Sequence, residues 1–452
     1  MNKQHISFAL IIILTLSVLL HLVGWQFAFD LHSLPFIISR VITVVIICIW
    51  AYYKNSLTTW ILVSMLLGLI IGYDLPMIAI HGKVISKIFL RLVKTIVAPL
   101  LFGTLVVAIA GQSNMKQVGR LGWKSMLYFE IVTTLALFVG LVAINISQAG
   151  VGLNVPFTKD AHELPTAEPK TWEQIILHIF PENIAKSVAE GEILQVVIFS
   201  ILFGMALNQI NNQAHKTFFI NFAESLSEIM FKFTNNVMKL APLAVGAAMA
   251  YSVSHMGLQV LIPLSKLLLT LYAALLGFIL LVLMPIALYF RINIIEFAKK
   301  LADPLSIAFA TTSSEAALPK AMKCLEEMGI SKKIIAFVMP MGYSFNLDGT
   351  TLYLSLASIF VAQASGIQLT WEQQLLMVFT LMITSKGVAG VPRASLVILM
   401  GTLHSFNLPV EPVFIILGID ELMDMGRTTI NVFGNCLATA VIAKTEENKL
   451  LI

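Results

Sequence analysis

Five polar residues near the end of the chain, Asp420, Asp424, Arg427, Asn431 and Asn435, follow one another at intervals of four, three, four and four. On a helix these intervals place all five in one stripe roughly 80° wide at about 100° per residue. The surrounding segment, 410–444, is largely apolar, and charges inside such a segment are expensive and usually functional. The planar guanidinium of Arg427 can grip a carboxylate through two parallel hydrogen bonds. Asp424, one turn earlier, can hold an ammonium. The pair suits a small molecule with both charges, an acidic amino acid, and Thr428 and Asn431 add neutral hydrogen bonds. The other reading is an internal ion pair between Asp424 and Arg427 that holds helices together.

A second polar set, Asn346-Leu347-Asp348-Gly349-Thr350, interrupts the apolar segment 333–364. Gly349 beside Asp348 loosens a helix, and the freed carbonyls with Asp348 can coordinate a cation. A kink with a capping Asp is the plainer alternative. Ser313-Ser314, ahead of Leu318-Pro319, has the form of a helix N-terminus with Pro in its first turn. Free amides and the positive dipole end would favour an anion there; a plain serine cap is the alternative. Gly387 and Gly390 give the segment before Pro392 the backbone freedom of a gate.

These residues must be positioned by helices in a membrane. Of 452 residues, 58% are hydrophobic and 12% charged, about half the roughly 25% charge of a soluble domain. Mean hydropathy is +0.87. The composition excludes a cytoplasmic globular enzyme, a disordered chain and a nucleic-acid binder. Apolar stretches of about 18 residues and more exclude an outer-membrane barrel, whose strands are about ten residues long. The chain is thus expected to be an all-α polytopic membrane protein. Apolar spans fall near 6–25, 35–53, 57–74, 84–111, 122–148, 193–209, 233–253 and 260–290. The run 6–25 has no cleavage site and is expected to be retained. Broken segments follow at 296–325, 333–364 and 371–407. Cys48, Cys324 and Cys436 fit neither a metal nor a disulfide spacing.

The distribution of Lys and Arg sets the orientation. Lys3, Lys54, the cluster Lys116–Lys124, Arg291, Lys299, Lys300, Lys332, Lys333, Lys444 and Lys449 fall on one side if the broken segments 296–325 and 371–407 re-enter from opposite faces. Both termini are then cytoplasmic, and the Glu-rich loop 149–192 lies outside. The two re-entrant segments also share a pattern, Leu318-Pro319-Lys320-Ala321 and Val391-Pro392-Arg393-Ala394. Matching interrupted segments of opposite orientation mark an inverted-repeat transporter.

Four motifs in order resemble those of the dicarboxylate/amino acid:cation symporter family, the glutamate transporter family. They are Thr312-Ser313-Ser314-Glu315 with Leu318-Pro319, the run Asn346 to Thr350, the run Lys386 to Pro392, and Asp424-Met425-Gly426-Arg427-Thr428 with Asn431. The resemblance covers about residue 55 to the end, so residues 1–54 look like an added transmembrane helix pair. It implies an elevator transporter with two re-entrant helical hairpins, working as a homotrimer in a bacterial inner membrane. Residues 55–295 would be mainly scaffold and trimerisation helices, with the third and sixth family helices joining the transport domain. Residues 296–445 would form its core, and 446–452 a cytoplasmic tail. By motif position Arg427 is similar to the side-chain carboxylate ligand and Asp424 to the amino-group ligand. Ser313, Ser314, Thr350, Val391, Ser395, Thr428 and Asn431 would complete the substrate shell. Gly342, Asn346, Asp348 and Asn431 match cation-site positions.

Three departures stand out. Sodium-coupled members carry Asp at the position of Asn435, and losing a carboxylate weakens a hard-cation site. A sodium-site Thr is replaced by Val132, beside Thr133. Together these resemble the bacterial proton/glutamate subgroup and favour protons over sodium. Glu130 and Glu315 are the candidate proton carriers if burial raises their pKa; snorkelling or a structural hydrogen bond are the other readings. Third, Arg393 replaces a small residue, while Thr312 and Met425 occupy the family's usual basic positions. Arg393 is either a gate-side ligand for the substrate's main carboxylate or solvent-facing.

Having both Asp424 and Arg427 favours glutamate or aspartate over a C4-dicarboxylate such as succinate. No cofactor, no metal beyond sodium and no nucleic-acid partner is expected. The histidines show no HExxH spacing and no G-x-S-x-G elbow occurs, so an enzyme is not expected.

Overall fold

A computed structural model describes residues 33–54, 56–110, 115–153, 177, 180–190, 193–385 and 394–447. Among them there is no strand. The expected first span, 6–25, and the segment 386–393 with Gly387, Gly390, Val391, Pro392 and Arg393 lie outside the described residues.

The longer helices are α1 (Leu34–Lys54), α2 (Leu57–Asp74), α3 (Gly82–Ala110), α4 (Met115–Ser147), α5 (Ile193–Asn208), α6 (Gln213–Met238), α7 (Ala241–Met256) and α8 (Leu261–Phe278). They continue as α9 (Ala302–Thr311), α10 (Ser314–Glu327), α11 (Lys332–Phe345), α12 (Asp348–Ala364), α13 (Trp371–Thr384), α14 (Ala394–Ser405) and α15 (Asp420–Glu447). By length and composition four described helical stretches can cross a membrane, Leu34–Lys54, Leu57–Asp74, Leu121–Ser147 and Leu258–Tyr289. The expected spans 84–111 and 193–209 fall on helices α3 and α5.

Three expected boundaries shift. The span 233–253 is broken at Lys239-Leu240, because Pro242 has no N–H to continue a helix and fits the first turn of α7 instead. The segment 410–444 is broken at Gly418-Ile419. There the acidic pair Asp420 and Glu421 takes the first turn of α15, the end of a helix that favours negative charge. Pro319 is the sixth residue of α10, not a first-turn residue, so it removes a helix hydrogen bond inside α10.

The chain forms two compact units. The first holds the described part of Met1–Leu90, with Lys239–Ile262 and Phe414–Glu421. Its centre is the pair α2 and α7, joined through small residues. Gly68 and Gly72 form a G-x-x-x-G step on α2; a Cβ on Gly68 would lie 2.1 Å from the Gly246 carbonyl oxygen, and one on Gly72 would lie 2.6 Å from that of Ala250. Small residues at this spacing let membrane helices touch backbone to backbone. Helix α1 packs beside α2 through Ile47, Ala51 and Val63. Arg40, 7% exposed, binds Asp74 with two hydrogen bonds, Nε to Oδ2 at 2.9 Å and a terminal nitrogen to Oδ1 at 2.7 Å. This part-buried bidentate pair ties α1 to α2.

The second unit comprises Arg91–Met238, Pro263–Val413 and Leu422–Ile452. Its central element is α12, in which every residue but Gln363 is buried. Helix α4 lies along it at close range: a Cβ on Gly140 would stand 2.3 Å from the Leu352 carbonyl oxygen. Polar ties hold the end of α4 to α13 and α12. The Asn145 amide donates to Gln374 Oε1 at 2.8 Å, and the Gly150 amide donates to Gln363 Oε1 at 3.2 Å. Thr370 and Gln373 cap α13 reciprocally. At the far end of α15, Lys124 donates to the Glu446 carboxylate at 2.5 Å and to the Thr445 carbonyl at 3.3 Å.

Candidate functional site

The interruption between α11 and α12 is shorter than expected. Only Asn346 and Leu347 leave the helix, while Asp348, Gly349 and Thr350 already form the first turn of α12. That turn meets α15 at a glycine contact on each side. A Cβ on Gly349 would lie 2.3 Å from the Arg427 carbonyl oxygen, and one on Gly434 would lie 2.0 Å from Asp348 Oδ2. Two helices thus touch where both carry their polar residues.

Leu347, the N-cap residue of α12, has no side chain that can satisfy the first amides. Asn431 of α15 does this from the neighbouring helix. Its Oδ1 accepts from Gly349 N at 2.8 Å and Thr350 N at 3.2 Å, and its Nδ2 donates to Thr350 Oγ1 at 2.9 Å. An oxygen placed there replaces the missing cap. The sequence motif had put Asn431 in both the substrate and cation shells; its carboxamide here is occupied with α12.

Asp424 and Arg427 lie on the same helix. Arg427 Nε donates to Asp424 Oδ1 at 2.8 Å, and Thr428 Oγ1 donates to the same oxygen at 3.0 Å. The internal ion pair is therefore present. Asp424 Oδ2 is buried and accepts no hydrogen bond among the described residues. Arg427 is 1% exposed, and its guanidinium carbon stands 4.2 Å from the centre of the Tyr353 ring. This cation–π stack fixes the plane of the fork. The sequence reading did not single out Tyr353. The signal was its place three residues after Thr350, on the same face of α12.

A second cluster adjoins. Asn346 Nδ2 donates to Asp348 Oδ2 at 3.2 Å. Gly342 abuts Asn435, and a Cβ on Gly342 would lie 2.3 Å from Asn435 Oδ1. Asn346, Asp348 and Asn435 are all at most 1% exposed. Asn346 Oδ1 and both polar atoms of Asn435 have no hydrogen-bond partner among the described residues. Buried polar atoms left this way are uncommon and suit an ion or a water.

The other expected residues lie on other elements, and the hydrogen bonds above do not include them. Ser313 caps α10, accepting from Ala316 N at 3.2 Å, and Ser314 is buried. The tip between α9 and α10 is only Thr312 and Ser313. Thr312 has φ 50°, a costly left-handed conformation for a β-branched residue. Glu315 stands in the first turn of α10 with its side chain solvent-accessible. Glu130 is half-buried, and Thr133 is buried with its hydroxyl donating to Phe129 O at 2.6 Å. Ser395 is buried on α14. No group of three or more His, Cys, Asp or Glu that could hold a metal occurs among the described residues.

Over residues 57–445 the sequence matches the sodium:dicarboxylate symporter family. It is 41% identical over 403 residues to the proton/sodium-glutamate symport protein of Geobacillus stearothermophilus, covering 87% of this chain and 95% of that protein. Identity to the proton/glutamate-aspartate symporter of Bacillus subtilis (strain 168) is 42% over 399 residues, 87% of this chain and 96% of that one. The C4-dicarboxylate transport protein of Laribacter hongkongensis (strain HLHK9) is 41% identical over 400 residues, covering 87% of this chain and 90% of its own.

Proposed function

Because this chain belongs to the sodium:dicarboxylate symporter family, we propose that it imports glutamate and aspartate by cation symport, with protons as the coupling ion. It is a transporter, not an enzyme, and carries no enzymatic cofactor. The observation that bears most on the substrate is the buried Asp424–Arg427 pair, with one carboxylate oxygen still open. Two oppositely charged groups on one turn match a zwitterion with an extra carboxylate. Arg427, held flat by Tyr353, takes that carboxylate, and Asp424 takes the ammonium. Exchanging the internal pair for a substrate that satisfies both partners avoids leaving a buried charge alone.

The cluster at Gly342, Asn346, Asp348 and Asn435 is the cation or proton position. Asp348 is its one carboxylate, and a neutral Asn435 lowers its charge. A hard cation favours several negatively charged oxygens, and this supports protons over sodium. Ser313, Ser314, Thr350, Val391 and Ser395 complete the substrate shell, and Gly387 to Arg393 form the gate. The helix pairs α9–α10 and α13–α14 are the re-entrant hairpins of an elevator whose core spans residues 296–445. The protein works as a homotrimer in the bacterial inner membrane, with both termini cytoplasmic.

Labelled glutamate uptake into proteoliposomes tests this reading, with proton and sodium gradients imposed separately. Uptake is expected with an inward proton gradient in sodium-free buffer. Uptake that requires sodium and ignores the proton gradient refutes proton coupling. Accumulation of labelled succinate without competition by glutamate refutes the amino acid assignment.

A further inference from the structure

Tyr272 lies on α8, away from the polar clusters described above. Its hydroxyl donates to the Leu422 carbonyl of α15 at 2.8 Å. Its ring rests on Gly426, where a Cβ would stand 3.0 Å from Tyr272 Cζ and 3.1 Å from Cε1. Ring and hydroxyl thus hold a single turn, Leu422 to Gly426. Viewed down the helix at about 100° per residue, Leu422 and Gly426 lie near 0° and 40°. Asp424, Arg427 and Asn431 lie near 200°, 140° and 180° in the same frame. The tyrosine presses on the back of the turn whose front carries the charged pair.

The ring is 37% exposed, so it is not there as core filling. Tyr272 lies in an apolar stretch long enough to cross a membrane, Leu258–Tyr289, where a hydroxyl has little water to turn to, and this keeps it on the carbonyl. A π-helical turn, Ile279–Leu283, follows Tyr272 directly after α8. Such turns re-phase a helix and recur near functional sites.

We infer that Tyr272 is a positioning residue that sets the rotation of the Asp424–Arg427 turn and so tunes substrate affinity. This rests on the reading of Asp424 and Arg427 as substrate ligands. Gly426 is the matching seat, because any larger residue displaces the ring.

The test is equilibrium binding of labelled glutamate to the purified full-length protein, alongside uptake kinetics and thermal midpoints. Tyr272→Phe keeps the ring and loses the hydrogen bond. It is expected to weaken binding and raise KM roughly three- to tenfold, with maximal uptake and thermal midpoint unchanged. Gly426→Ala, whose new methyl would press on the ring carbon that bears the hydroxyl, is expected to move affinity the same way. Wild-type affinity in Tyr272→Phe overturns the inference, as does a lower thermal midpoint and maximal rate at unchanged KM. Arg427→Lys serves as the reference. If it loses binding while Tyr272→Phe does not, only the positioning role fails; if it binds as the wild type does, the substrate-site reading itself fails and this role with it.

Discussion

Arg427→Lys is expected to weaken glutamate binding roughly a hundred- to a thousandfold. The substitution keeps the positive charge, so the loss must come from geometry. Lysine presents a single ammonium where arginine presents a planar fork, and it cannot donate the Nε bond to Asp424 while gripping a carboxylate with two parallel donors. The stack on Tyr353 at 4.2 Å goes as well. Because the guanidinium is almost wholly buried, no water compensates for the missing donors. Binding titrations of glutamate on the purified variant check this, and an affinity within threefold of wild type, by roughly the scatter of such values, would speak against Arg427 as the carboxylate ligand.

Gly349→Ala is the second large effect, and it acts through backbone rather than charge. The new methyl would sit 2.3 Å from the Arg427 carbonyl oxygen and 2.8 Å from its Cα. Neither atom is the end of a flexible side chain, so α12 and α15 must separate. Separation lengthens the Asn431 bonds to Gly349 N and Thr350 N, now 2.8 and 3.2 Å, and leaves the first amides of α12 unsatisfied. Overpacking of this kind costs about 1–3 kcal/mol before the lost cap is added. The expected result is a lowered thermal midpoint together with near-complete loss of uptake. A variant with wild-type midpoint and uptake would mean that the two helices do not depend on this contact.

Much of the molecule was legible in the sequence because membrane helices advertise themselves by length and apolarity. The stripe Asp424, Arg427, Asn431 and Asn435 could be read from spacing alone, since one helix fixes the relative directions of its own side chains. What needed the structure were relations between helices. Asn431 reads as a ligand in the sequence, yet its carboxamide caps α12, because the missing cap belongs to a different helix about 80 positions away. The G-x-x-x-G step at Gly68 and Gly72 gains its meaning only from Gly246 and Ala250 opposite. The break at Lys239-Leu240 hides inside an apolar run, where hydropathy has no way to register that Pro242 opens a new helix.

The central claim is that Asp424 and Arg427 together read an acidic amino acid by its two kinds of charge. The most direct measurement titrates glutamate and succinate into the wild type and Asp424→Ser under one set of proton and salt conditions. Succinate has the two carboxylates but no ammonium for Asp424 to hold. Asp424→Ser is expected to weaken glutamate at least about tenfold more than succinate. Equal losses for the two ligands, or a larger loss for succinate, would contradict it.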